Sequence, residues 1–143
     1  MAYENINVSR LQSDLTKLKQ IVTNKNKLDR VANSLNSAGW EGNSRNQFKK
    51  AMKTTTNYHN QIIKYIERFQ QAAGYIKQYQ DIQKNKKEAA NNAQNQNSKL
   101  KGMDKKDSNY DSVKNNINRY NNEVNSCNQR LSELQQKIES LIN

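Results

Sequence analysis

Between Tyr110 and Leu141 the apolar residues return at alternating steps of three and four without a miss: Tyr110, Val113, Ile117, Tyr120, Val124, Cys127, Leu131, Leu134, Ile138 and Leu141. That period belongs to a helix carrying a coiled-coil seam, and no strand can present it on one face. A long amphipathic helix must cover its stripe with other helices, so the seam predicts an all-α chain. Fully burying a Leu or Ile is worth roughly 1.5–3 kcal/mol, so ten seam residues cannot be left in water. They pack either on the rest of the chain or on another chain.

The remainder of the sequence allows the same architecture. Proline is absent and glycine occurs four times in 143 residues, so little interrupts long helices. A first helix is expected from about Ser9 to Asn36, with Ser9 as N-cap and Gln12 completing a capping box. Its stripe is Val8, Leu11, Leu15, Leu18, Ile21, Val22, Leu28, Val31 and Leu35. The segment Ser37-Ala38-Gly39-Trp40-Glu41-Gly42-Asn43-Ser44 then reads as a turn, with Asn43 or Ser44 capping the next helix. On that second helix three columns repeat by sevens: Phe48, Thr55, Ile62, Phe69, Ile76; Ala51, Tyr58, Tyr65, Ala72, Tyr79; and Met52, His59, Ile66, Ala73. Together they predict an apolar face broad enough for two neighbours.

After Ile82 the pattern fades into a Lys/Asn/Gln-rich stretch where Ala89, Ala90, Ala93 and Leu100 still fall at helical intervals. It reads as a helical continuation, with a stop and turn at Gly102 and a cap for the third helix at Asp107 or Ser108. The expected organisation is a long antiparallel hairpin over residues 1–85, then a polar helical extension, a turn and a coiled-coil-like C-terminal helix over residues 86–143. A first helix of about 28 residues is roughly 42 Å long, so the second helix covers it by about residue 72. Ala72-Ala73-Gly74 at that point either admits a close neighbour or bends the helix, or else Gly74 is simply tolerated at about 1 kcal/mol.

The net charge of +11 is spread along the chain, with 14 Lys/Arg against 6 Asp/Glu in residues 1–85 and 10 against 7 in residues 86–143. Such a field favours anionic partners, but a solvated helix surface is the simpler reading of a charge spread this evenly. Cys127 is the single cysteine, so no internal disulfide forms. Its seam position makes it a small buried hydrophobe. Met1 to Val8 has neither a basic nor an apolar signal region, and no apolar run reaches the roughly 20 residues of a membrane helix. His59, the only histidine, lies on the apolar face and reads as a hydrogen-bonded core residue. No metal spacing, phosphate loop or catalytic triad can be assembled. The expectation is therefore a non-enzymatic protein with no cofactor, no metal and no small-molecule substrate.

Trp40-x-Gly42 between two amphipathic helices, with Phe48 downstream, resembles the signature of the WXG-type, ESAT-like proteins of type VII secretion. The resemblance covers about residues 5–85, and the added third helix looks like the longer tailed relatives associated with LXG toxins. Trp40 can cover the open end of a two-helix core, and Gly42 lets the backbone turn beside that ring. The resemblance also implies partner contact or export recognition at this turn. One departure is that the Tyr-x-x-x-Asp/Glu element of many exported members is absent here, since Tyr75 is followed by Tyr79, Tyr79 by Gln83 and Tyr120 by Val124. The implied function is a type VII secretion accessory protein, acting as chaperone, targeting partner or co-secreted partner of a larger helical cargo. It would be secreted without a Sec signal peptide, or reside in the cytoplasm before export.

The expected partner is a helical protein, such as a toxin or another WXG-type protein, or a second copy of the chain. The expected contact residues are Tyr58, Tyr65, Tyr79, Val113, Ile117, Val124, Leu131, Leu134 and Ile138. The alternative is a basic, self-associating structural coiled coil that binds nucleic acid or anionic surfaces. It leaves the Trp40–Gly42 turn unexplained, and the stacking arrangement of a single-strand binder is not evident.

Overall fold

A computed structural model describes residues 3–35 and 43–143 of the chain. Among the described residues there are one turn of 3-10 helix at Tyr3–Asn5, three α-helices and no strand: α1 (Val8–Leu35), α2 (Asn43–Lys101) and α3 (Tyr110–Ile142). The fold is all-α, with α2 paired to α1 at one end of its sequence and to α3 at the other. The stretch 84–101 is helical throughout and belongs to α2.

The chain divides into two compact units at Ala73/Gly74. The first unit comprises the described part of Asn7–Ala73. Here α1 and the start of α2 form an antiparallel hairpin around Leu15, Val22 and Ile66, with Leu11 and Ile63 packed against them. The helix starts one residue before Ser9. Asn7 is its cap, because the Asn7 Oδ1 accepts a hydrogen bond from the Arg10 N–H at 3.1 Å. An Asn cap serves as well as a Ser, and capping at Asn7 instead of Ser9 brings Val8 and Ser9 into the helix. Lys19 and Glu67 form an ion pair across the two helices at 3.2 Å.

In the second unit, residues 3–6 join Gly74–Leu141. Here α3 lies antiparallel to α2. Ile82 packs with Leu131 and Leu134, flanked by Tyr75, Tyr79 and Cys127. The Lys137 ammonium sits 5.6 Å from the Tyr75 ring centre. All ten residues of the α3 seam are buried or half-buried, with Ile138 fully enclosed. The chain itself therefore covers the seam. The polar stretch of α2 can do this because Ala89 and Ala93 are both buried. Small residues let two helix axes approach, so the larger α3 side chains need no large partners on α2.

The turn is held by its acids. The Asp104 Oδ1 accepts from the Lys106 N–H at 3.1 Å, and the Asp107 Oδ1 accepts from the Asn109 N–H at 2.9 Å. The N-cap position of α3 is Asn109, whose side chain makes no cap bond, and not Asp107 or Ser108. Asp107 instead closes a local side-chain turn two residues ahead, which competes with capping.

The N-terminal turn completes this unit. Tyr3 is 1% exposed. Its ring meets Tyr79 edge-on at 5.2 Å and 77°. The Gln80 amide donates to the carbonyl oxygens of Tyr3 at 2.9 Å and Ile6 at 2.8 Å, and the Gln83 amide donates to Glu4 at 2.9 Å. Gly74 needs no special account, since a Cβ placed there would meet nothing within 4 Å. Glycine is tolerated at this position, and no close neighbour demands it.

Candidate partner-binding face

A two-helix hairpin buries one stripe of each helix, and the patterned face of α2 is wider than one stripe. The column containing Ile66 and Ala73 turns inward, together with half-buried Met52 and His59. The other two columns turn inward at Ala72 and Ile76, but not in their middle. Tyr58, Ile62, Tyr65 and Phe69 are all exposed, with Tyr58 at 62% and Tyr65 at 56%. On α1, Leu18 and Ile21 are exposed as well, Ile21 at 58%, which corrects their placement on the buried stripe. With only α2 as neighbour, α1 has room to bury Val8, Leu15 and Val22, but not the residues beside them.

These six residues share one side of the hairpin. Each helical residue advances about 100° around the axis. On α1, Lys19 lies to one side of the buried Leu15–Val22 line, whereas Leu18 and Ile21 lie to the other. On α2, Glu67 lies to one side of the buried Ile66–Ala73 line, whereas Tyr58, Ile62, Tyr65 and Phe69 lie to the other. The Lys19–Glu67 ion pair fixes which sides correspond. The exposed apolar residues of the two helices therefore face the same way. One exposed Leu means little, but a contiguous apolar patch marks an interaction surface.

The remaining predicted contact residues lie elsewhere. Val113, Ile117, Leu131, Leu134 and Ile138 are buried within the chain and Val124 is half-buried, so the α3 seam is not an open surface. Tyr79 is half-buried under Tyr3. Phe48 is half-buried on α2. Trp40 and Gly42, with the turn around them, lie outside the described residues, as do the side chains of Leu28, Val31 and Leu35. The sequence reading missed Leu18 and Ile21 as face residues. The available signal was Ile21 itself, which directly precedes Val22 and cannot share its inward line.

The rim of the face is basic. The Arg68 guanidinium lies 5.8 Å from the centre of the Tyr65 ring. A shallow groove beside it is lined by Gln61, Lys64, Tyr65 and Arg68, and another is lined by Gln47, Lys50, Ala51 and Thr54. Among the described residues no group of three or more His, Cys, Asp or Glu could hold a metal ion, and no helix is long and apolar enough to cross a membrane. What this surface can do chemically is bind, through apolar burial at its centre and charge at its edge. No family model, curated protein or solved structure matches the chain.

Proposed function

We propose that this protein is a non-enzymatic helical partner protein, which docks a helix of another protein on the Tyr58–Phe69 face of its hairpin. The observation that carries the reading is the contiguous exposure of Tyr58, Ile62, Tyr65 and Phe69 with Leu18 and Ile21. Aromatic anchors of this kind dominate the energetics of helix-in-groove interfaces. The resemblance of Trp40-x-Gly42 between two helices to the WXG-type signature supports a role in type VII secretion. There the protein acts as a chaperone, targeting partner or co-secreted partner of a larger helical cargo. With no Tyr-x-x-x-Asp/Glu element in this chain, the partner would supply the export signal.

The test is the amount of protein in culture medium against cells, with and without the type VII export ATPase. Loss of the extracellular pool in the ATPase mutant supports co-export. An extracellular pool that is unchanged by the mutation contradicts the secretion role. The Tyr65→Ala variant should also vanish from the medium while remaining folded in cells.

A further inference from the structure

The exposed face has a period as well as a composition. Ala51, Thr55, Tyr58, Ile62, Tyr65 and Phe69 alternate steps of four and three along α2, the same spacing that α3 presents to α2 in the other unit. A seam of this period is complemented by another helix lying along it. The edge of the seam away from α1 carries Lys50, Lys64 and Arg68, interleaved with the uncharged Thr54, Asn57 and Gln61.

Among its described residues the unit offers this edge no spare acid. Residues 7–73 contain 12 Lys/Arg and 4 Asp/Glu, a net +8 out of the chain's +11. The two acidic side chains described in the unit are already paired, Asp14 with Arg10 at 3.9 Å and Glu67 with Lys19 at 3.2 Å. Glu67 moreover lies on the opposite side of the hairpin. If two copies met antiparallel through this face, each basic edge would lie against another basic edge; if they met parallel, it would lie against the partner copy's α1, whose sequence carries 6 Lys/Arg against 2 Asp/Glu. Like charges at the rim select against a partner, and opposite charges select for one.

Resting on the helix-docking reading above, we infer that the face takes an amphipathic helix of a different protein, with Asp or Glu beside its apolar seam, and not a second copy of this chain. Tyr58, Ile62, Tyr65 and Phe69 supply the buried centre. Lys50 and Lys64 pair with the acids, and the charge of Arg68 adds to the positive field along the same edge.

The full chain is titrated by calorimetry with two synthetic heptad peptides that share a Leu seam, one with Glu and one with Lys at the flanking positions. Each exposed charge contributes only modestly, so a row of three gives roughly tenfold tighter binding of the Glu peptide. The preference should weaken with salt and invert in the Lys64→Glu/Arg68→Glu double variant, whose changes fall on exposed positions. Sedimentation of the unbound chain should show a monomer. Equal binding of the two peptides, or tighter binding of the Lys peptide, overturns the acidic partner while leaving helix docking intact. If neither peptide binds, or if binding is unmoved by Tyr65→Ala, helix docking itself falls. A dimer abolished by Tyr65→Ala overturns the exclusion of a second copy.

Discussion

Tyr3 offers the sharpest test of how the C-terminal unit is closed, because its ring and its hydroxyl make opposite predictions. The ring is 1% exposed and packs edge-on against Tyr79. Removing it in Tyr3→Ala leaves a cavity over Tyr79 and should cost about 3–5 kcal/mol, as for other buried aromatics. The hydroxyl is buried without a hydrogen-bond partner among the described residues. An unsatisfied buried hydroxyl is a burden, so Tyr3→Phe keeps the ring and should be neutral or stabilising by up to about 1 kcal/mol. Urea unfolding followed by circular dichroism separates the two. A Tyr3→Phe loss as large as that of Tyr3→Ala would show that the hydroxyl is bonded and the account of the site is wrong. A neutral Tyr3→Ala would show that the N-terminal turn does not close the unit.

The same site fixes a pH dependence. Burial, then the Glu139 carboxylate and then Tyr79, raise the Tyr3 pKa above the ordinary phenol value of 10.0. The folded chain therefore holds this proton to higher pH than the unfolded chain. The contribution is complete below pH 10.0 and is lost as pH rises through the raised value. Wild type should lose stability relative to Tyr3→Phe in that alkaline window, and a constant difference would refute the assignment.

Other substitutions test the packing. Ala89→Leu or Ala93→Leu should lose about 1–3 kcal/mol in thermal or urea unfolding, because both alanines are buried where α2 meets α3. Gly74→Ala should gain up to about 1 kcal/mol, since the helix prefers Ala and nothing lies within 4 Å of the new Cβ. Ile66→Ala, from 2% exposure, should cost about 2–4 kcal/mol, whereas Ile62→Ala, from 42%, should cost clearly less. Equal losses at those two positions would mean that the Ile62 face is not open.

Helix type and order were legible because each helix carries its own period, and a three-and-four stripe admits only one secondary structure. Caps were legible to within a residue or two. Asn7, Ser9, Asp107 and Asn109 are all good cap residues, and the choice between them turns on local side-chain bonds that spacing does not encode. Periodicity states that a residue seeks cover, but not what provides it. The seam from Val113 to Ile138 looked available to a partner because the facing α2 stretch is polar, and the covering role of Ala89 and Ala93 is one of size rather than hydrophobicity. The same ambiguity ran the other way for Leu18 and Ile21. Tyr3 was not legible at all. Its place depends on Gln80 and Tyr79, far along the chain, and no local pattern announces such a contact.

Docking of another protein's helix on the Tyr58–Phe69 face can be read out by site-specific photo-crosslinking in the native cell. A photoreactive phenylalanine is placed at Tyr65, and for comparison at Lys53, an exposed position outside the face. One crosslinked partner is expected from position 65, mapped to an amphipathic helix with acidic flanks, and none from position 53. No product from position 65, or the same products from both positions, would contradict it.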